Sequence, residues 1–174
     1  MTPFPKVSKW RVPEDLLLES LKEMSLDGEN GNEGICLWLG LRNEAEEMAT
    51  ISHVVKLRGS GVIKSPAQIQ IKPELMREVH EAAYNAGTIL IGQIHSHGTE
   101  YGVRLSYVDV RYGIAIPYYL SVVAPHYALR FETNWQECGV HVYLPNRGYS
   151  LAEASKIIVV DKRLSLTTLT INNE

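Results

Sequence analysis

Hydrophobic residues recur along this chain with two different periods, one helical and one typical of β-strands. Leucines at helical spacing after Pro13 predict a helix over 13–25. A second helix is predicted over 73–86, where a proline opens the segment and Gly87 is placed to cap its end. A third, shorter helix is predicted over 106–115.

Segments with strand character alternate with these helices. Apolar or alternating runs predict strands at 34–42, 50–57, 67–72, 88–97, 118–124, 127–132 and 138–144. The β-branched tail over 154–172 predicts a hairpin around Asp161 and Lys162, whereas residues 1–12 are predicted to form an irregular lead-in. This alternation favours an α/β fold, a mixed β-sheet flanked by helices.

The length and composition are those of a single globular domain spanning 1–174. The 174 residues are 45% hydrophobic and 21% charged, which suits one sizeable core. No apolar run is long enough for a transmembrane helix, and the N-terminus lacks the apolar stretch of a signal peptide. A cytoplasmic location is therefore expected, with Cys36 and Cys138 as reduced thiols.

The charge balance bears on the partners. Lys and Arg number 17 and Asp and Glu number 20, so the formal net charge is −3. Because phosphate binding needs a basic patch, nucleic acid is not an expected partner. A membrane is not expected either, and the sequence does not indicate an oligomeric state.

The most chemically specific pattern lies at the end of the predicted strand over 88–97. His95 and His97 are two apart on a strand and point to one face. Ser106 and Asp109 are three apart and share one face of the next helix. A glycine-containing loop can fold that helix back beside the strand. Two imidazoles and a carboxylate, with a hydroxyl nearby, suit a catalytic zinc site.

The same residues have a second, structural interpretation. Ser-x-x-Asp at a helix start is the pattern of a capping box, with Ser106 at the N-cap and Asp109 three positions on. The histidines would then be polar residues at the end of a strand. The two interpretations are compatible, because Ser106 can cap the helix and still face a metal ion.

These residues are similar to the signature of the JAB/JAMM (MPN+) metalloprotease family, in its prokaryotic deubiquitinase-like branch. That signature is His-Ser-His followed by Ser-x-x-Asp, with Glu-x-x-Gly-Leu-Leu-x-Gly upstream. Here the upstream segment is EGICLWLG, from Glu33 to Gly40, with Cys36 in place of the first glycine. The resemblance covers about 13–145 and leaves 146–174 as a β-rich C-terminal extension. It implies the family's cytidine-deaminase-like α/β/α architecture.

Two features depart from the family pattern. Eight residues separate His97 from Ser106, one more than the family usually has. Gly98 stands where a proline often follows the second histidine. Both changes lie in the loop between the histidines and the helix, so we expect them to alter the shape of that loop near the substrate.

The resemblance also implies a role for each site residue. His95, His97 and Asp109 would bind one Zn²⁺ per chain, with a water molecule as the fourth ligand. Glu33 would act as general base, and Ser106 would donate a hydrogen bond to the oxyanion. No protein nucleophile is needed, so neither cysteine is expected to react covalently.

The reaction implied is hydrolysis of the amide or isopeptide bond after the C-terminus of a ubiquitin-like protein. The partner would be that protein or its conjugates, in deconjugation or in precursor processing. A peptidase acting on a sulfur-carrier protein is an alternative on the same fold. A non-catalytic MPN-type interaction module is another, disfavoured because no ligand is missing. A zinc deaminase is disfavoured because no Pro-Cys-x-x-Cys pair is present.

Overall fold

A mixed β-sheet of nine strands organises the residues that the structure describes, and four helices accompany it. The structure is a computed structural model, and it describes residues 4–173. The helices are α1 (Leu16–Gly28), α2 (Pro73–Asn85), α3 (Tyr107–Tyr112) and α4 (Ala154–Ile157). The strands are β1 (Lys9–Pro13), β2 (Ile35–Asn43), β3 (Met48–Gly59), β4 (Val62–Lys64), β5 (Ile69–Ile71), β6 (Ile89–Ser96), β7 (Leu120–Ala124), β8 (Gly139–Leu144), β9 (Gly148–Ala152), β10 (Ile158–Asp161) and β11 (Thr167–Asn173).

The strand order is β10-β1-β3-β2-β6-β7-β8-β9, and β11 also pairs with β3. Strand β2 runs antiparallel to both β3 and β6, whereas β6 runs parallel to β7. Strands β4 and β5 form a separate antiparallel pair. The predicted α/β class with a mixed sheet is confirmed.

The central strands of the sheet are buried on both faces. Cys36 and Trp38 belong to the cluster that includes the apolar residues of α1, and Leu37 and Leu39 belong to the cluster around α2. Burial on both faces explains why β2 has a continuous apolar sequence rather than an alternating one. Within 4–173, no helix combines the length and the apolar character needed to cross a membrane.

The described part of the predicted N-terminal lead-in, residues 4–12, is more ordered than predicted, and residues 1–3 lie outside the described residues. Residues 9–13 form β1, which lies between β3 and β10 in the sheet. Its inward residues Trp10 and Val12 are almost fully buried. Two alternating apolar positions are too few to predict a strand. Because β1 extends to Pro13, helix α1 begins at Leu16 and not at the predicted residue 13.

The predicted C-terminal hairpin is wrong. Strand β10 pairs in parallel with β1, and β11 pairs in parallel with β3. Asp161, at the expected turn, binds Arg163 through side-chain and backbone hydrogen bonds, but the chain does not reverse there into an antiparallel partner. The strands of 146–173 therefore complete the sheet.

The strand predicted over 127–132 is also absent. His126, Tyr127 and Ala128 instead form a tight turn with φ values of 56°, 53° and 58°. This left-handed region costs a residue other than glycine about 1–2 kcal/mol. No residue of the turn is glycine, so its sequence carries no signal for this conformation.

Candidate metal centre

The beginning of β2, the end of β6 and the short helix α3 meet at one end of the central strands of the sheet. His95 and His97 lie at and just beyond the end of β6, and Glu33 lies two residues before the start of β2. The antiparallel register pairs Ile35 with His95, which brings Glu33 beside the histidines. Helix α3 supplies Asp109. The fold thus assembles residues that are far apart in the sequence.

A hydroxyl between the two histidines ties the strand ends together. Ser96 Oγ accepts a hydrogen bond from the Gly34 N–H at 2.8 Å, and the Ser96 N–H donates to the Gly34 carbonyl at 3.0 Å. Both residues are buried. Gly34 directly follows Glu33, so these two bonds hold the Glu33 backbone against the end of β6.

Three ligand-type atoms form a nearly equilateral triangle. His95 Nε2 and His97 Nε2 are 3.1 Å apart, and Asp109 Oδ2 is 3.4 Å and 3.1 Å from them. Tetrahedral metal ligands with bonds of about 2.0–2.1 Å are separated by about 3.3 Å. The triangle therefore has the size of three corners of a metal-binding tetrahedron.

The hydrogen bonds of the rings favour a cation at the centre of this triangle. His97 Nδ1–H donates to the Gly102 carbonyl at 2.6 Å, so the Nε2 of a neutral His97 ring presents a lone pair to the triangle. His95 Nδ1 is buried, and no described residue is its hydrogen-bond partner. Lone pairs that converge with the Asp109 carboxylate need a cation or a proton between them.

In the metal-free protein, hydrogen bonds within the triangle favour a charged Asp109 and a protonated His97. Burial opposes the ionisation of Asp109, but hydrogen bonds from His95 and His97 hold its pKa well below the ordinary value. Burial also opposes the imidazolium of His97, yet hydrogen bonds to Asp109 and Gly102 raise its pKa. A metal ion would displace these protons, as metal binding to histidine generally does.

Glu33 adds a second carboxylate at the same place. One oxygen of Glu33 and one ring nitrogen each of His95 and His97 all lie within 4.8 Å of one another, so this buried group could hold a metal ion. Burial raises the pKa of Glu33 to about 7 against the lowering effect of His97, and the charge of Asp109 makes a smaller contribution to the rise. A carboxyl group with a pKa near neutrality is suited to accept and return protons.

The predicted capping box is present at the start of α3. Ser106 Oγ accepts the Asp109 N–H at 3.1 Å, and Asp109 Oδ2 accepts the Ser106 N–H at 2.7 Å. Asp109 Oδ2 is also the oxygen that approaches the histidines. Ser106 is exposed, and its hydroxyl hydrogen is not used by the cap. The predicted capping box is therefore confirmed, and it leaves the Ser106 hydroxyl hydrogen available for the predicted site role.

Some contacts around the site are not predictable from the sequence. The carbonyl of Gly102, in the loop of unusual length, orients His97. His141 Nε2 accepts the Leu105 N–H at 3.4 Å at the other end of that loop. Gly98 lies against the Tyr127 ring, where an added Cβ would be 2.6 Å from the phenol. Of these contacts, only the close approach at Gly98 had a sequence signal, the glycine itself.

The two cysteines lie away from this chemistry. Cys36 and Cys138 are both free and buried, as their predicted state as reduced thiols requires. Burial raises the pKa of each thiol, which favours the protonated form at neutral pH, and buried structural thiols are generally inert.

Comparison with known proteins finds a similar fold among solved structures. No protein-family model and no curated protein matches the chain. Among solved structures, the fold is similar to the solution structure of protein DSY2949 from Desulfitobacterium hafniense, with a TM-score of 0.67 and 18% sequence identity. The match covers 89% of this chain and 94% of that one. At this identity, the likeness concerns the fold alone.

Proposed function

We propose that this protein is a zinc-dependent peptidase of JAB/JAMM type that hydrolyses the amide bond after the C-terminus of a ubiquitin-like protein. The observation that carries the proposal is the triangle of His95, His97 and Asp109, with Glu33 beside it. Ser106 is linked to this triangle by the capping box, in which Asp109 Oδ2 accepts the Ser106 N–H.

The donor set favours zinc over harder cations. Two imidazole nitrogens suit a borderline-soft ion, whereas calcium and magnesium prefer oxygen ligands throughout. Three protein ligands leave one tetrahedral position for water or substrate, which is the arrangement of catalytic zinc. We assign the ligands as His95, His97 and Asp109, and we leave Glu33 free for proton transfer.

A bound zinc ion would supply Lewis acidity and lower the pKa of a coordinated water molecule. Glu33, buried beside the ligands, accepts a proton from the attacking water and returns it to the leaving amine. The Ser106 hydroxyl, whose hydrogen is free of the cap, donates to the oxyanion that develops at the carbonyl. No side chain of the protein forms a covalent bond with the substrate.

The short hairpin of β4 and β5 is the proposed position of the substrate tail. Its turn carries Ser65, whose carbonyl accepts the Glu33 N–H at 2.9 Å, so it lies next to the site. The two strands pair only with each other among the described residues. Their outer edges are therefore available to an extended peptide, which can bind a sheet by adding one strand.

The test combines metal analysis with cleavage of defined substrates. Purified protein should contain about one zinc per chain. It should release a C-terminal extension, or a lysine-linked target, from a ubiquitin-like protein, as read by mass. Glu33→Gln should keep its zinc and lose cleavage activity. The control variant His53→Ala, which changes a histidine on β3, should keep its zinc and its cleavage activity.

The outcomes separate the candidate functions. Cleavage only of a sulfur-carrier protein would favour the alternative peptidase. Zinc binding without cleavage of any of these substrates would favour an interaction module. A wild-type protein that binds no zinc, or a fully active Glu33→Gln variant, would overturn the proposal.

A further inference from the structure

The turn that follows β7 is the most strained backbone near the candidate site. His126, Tyr127 and Ala128 all adopt positive φ, although none of them is glycine. Such a run persists only where the surrounding structure holds it, and strained backbone concentrates at functional sites. Its central residue is attached to the site directly, because the Tyr127 N–H donates to the His97 carbonyl at 2.8 Å.

Two glycines in other parts of the chain make room for this tyrosine. A Cβ on Gly98 would lie 2.6 Å from the Tyr127 phenol, and a Cβ on Gly28 would lie 2.1 Å from the Tyr127 carbonyl oxygen. Neither glycine has positive φ, so close approach rather than backbone conformation accounts for them. Gly98 directly follows His97, and Gly28 ends α1, the helix that precedes Glu33.

The hydroxyl of the same side chain reaches the hairpin beside Glu33. Tyr127 Oη donates to the Pro66 carbonyl at 3.3 Å. The preceding carbonyl, that of Ser65, accepts the Glu33 N–H at 2.9 Å. Tyr127 thus contacts the segment after His97 and, through two successive carbonyls of one turn, the backbone of Glu33.

We propose that Tyr127 is a positioning residue that holds Glu33 in place relative to His95 and His97. Its backbone binds the chain of the histidines, its ring packs on Gly98, and its hydroxyl holds the turn that binds the Glu33 amide. The left-handed turn is the conformation that lets one residue make all three contacts. The inference rests on the proposed function, in which Glu33 transfers protons.

The first test measures amide hydrogen exchange in the metal-free protein. Tyr127→Phe keeps the ring on Gly98 and removes only the hydroxyl, and the loss of one hydrogen bond should speed exchange of the Glu33 amide about five- to tenfold. The Tyr127 amide, bonded to His97, should keep its wild-type rate. An unchanged Glu33 amide would overturn the proposal.

The second test uses glycine, which accepts positive φ without strain. Tyr127→Gly should lower kcat about tenfold while KM and zinc affinity stay at wild-type values, an effect like that of other outer partners of a site. His126→Gly, the matched control, relaxes the same turn without touching the tyrosine and should leave kcat unchanged. A parallel loss of zinc affinity would place the effect of Tyr127 on the metal ligands and overturn the proposal.

A double-mutant cycle tests the contact itself. Gly98→Ala should displace the ring and reduce kcat in the wild-type background, but it should have no further effect on Tyr127→Gly. Additive losses would contradict the proposal. If no variant and no wild-type protein hydrolyses a substrate, the proposed function fails, while the exchange of the Glu33 amide still decides the role of Tyr127.

Discussion

The two halves of the candidate site are built in opposite ways. Glu33, His95 and His97 lie at strand ends and are at most 4% exposed. Helix α3, which carries Asp109, has no buried residue, and Tyr107 and Tyr112 are each 73% exposed. The strand half is therefore held by the core of the protein, whereas the helical half is held by local contacts.

The local contacts of the helical half are few and polar. The capping box closes the start of α3, and Arg111 donates to the Tyr107 hydroxyl at 3.2 Å on its outer face. The carboxylate of Asp109 attaches α3 to the two imidazoles of the strand half. The core therefore places the histidines without a metal ion, and a metal ion would secure the carboxylate of Asp109 on the less firmly held helix.

The largest expected effect is the loss of a ligand in the strand half. His97→Ala removes one corner of the triangle, and zinc affinity should fall more than the roughly 10- to 100-fold loss typical of an outer partner. Chelator competition measures the affinity, and His53→Ala, a histidine variant away from the triangle, provides the control. Wild-type affinity in His97→Ala would remove the basis of the metal assignment.

The next effect separates the two roles of Ser106. Ser106→Ala and Ser106→Gly both remove the hydroxyl, and turnover should fall about 100- to 1,000-fold in each. Alanine at an N-cap costs about 1 kcal/mol, whereas glycine costs only a few tenths. Hydrogen exchange in α3 should therefore rise clearly only in the alanine variant. Wild-type turnover in the glycine variant would leave Ser106 as a cap alone.

A third effect tests whether metal secures the helical half. At zinc concentrations of 100 times the Kd, exchange of the Val110 amide in α3 should slow by up to about 100-fold. The Ile94 amide in β6 should change little, because the core already holds that strand. Asp109→Asn should abolish the difference between the two amides. Equal slowing at both positions in the wild type would mean that the halves respond as one unit.

The smallest effect concerns the charge of Glu33 in the metal-free protein. Its folded pKa of about 7 lies above its ordinary value of 4.5, so the folded state binds the extra proton between these values. Stability from this group is full below pH 4.5 and declines as pH rises towards 7. Glu33→Gln should therefore be more stable than wild type by about 3 kcal/mol at pH 8, with no difference below pH 4.5. Urea unfolding across this range measures the difference, and a gap that does not depend on pH would contradict the assigned cause.

The sequence predicted that His95, His97 and Asp109 lie close together, whereas their roles as metal ligands stay a prediction. His95 with His97 and Ser106 with Asp109 are separated by two and three positions, so local geometry alone brings each pair to one face. Glu33 was reached only through the resemblance. Its neighbour Gly34 bonds to Ser96, 62 positions away, a contact that no local pattern contains.

The helices and strands show the same difference between local sequence signals and long-range contacts. Strand β2 and helix α2 are long and strongly patterned, and both were predicted. Strand β1 has only two inward apolar residues, and β10 and β11 pair with strands that lie far away in the sequence. Parallel pairing leaves no turn signal between partners, so the tail was predicted as a hairpin.

By itself, the sequence determined the chemical inventory of the site and the principal helices and strands, because these depend on side-chain type and short spacing. Only the tertiary structure decided the near-neutral pKa of Glu33, the ring nitrogen that His97 directs inward, and the left-handed turn at Tyr127. Each of these depends on burial or on hydrogen bonds outside the regular patterns of helices and strands. Such contacts exist only after the chain has folded.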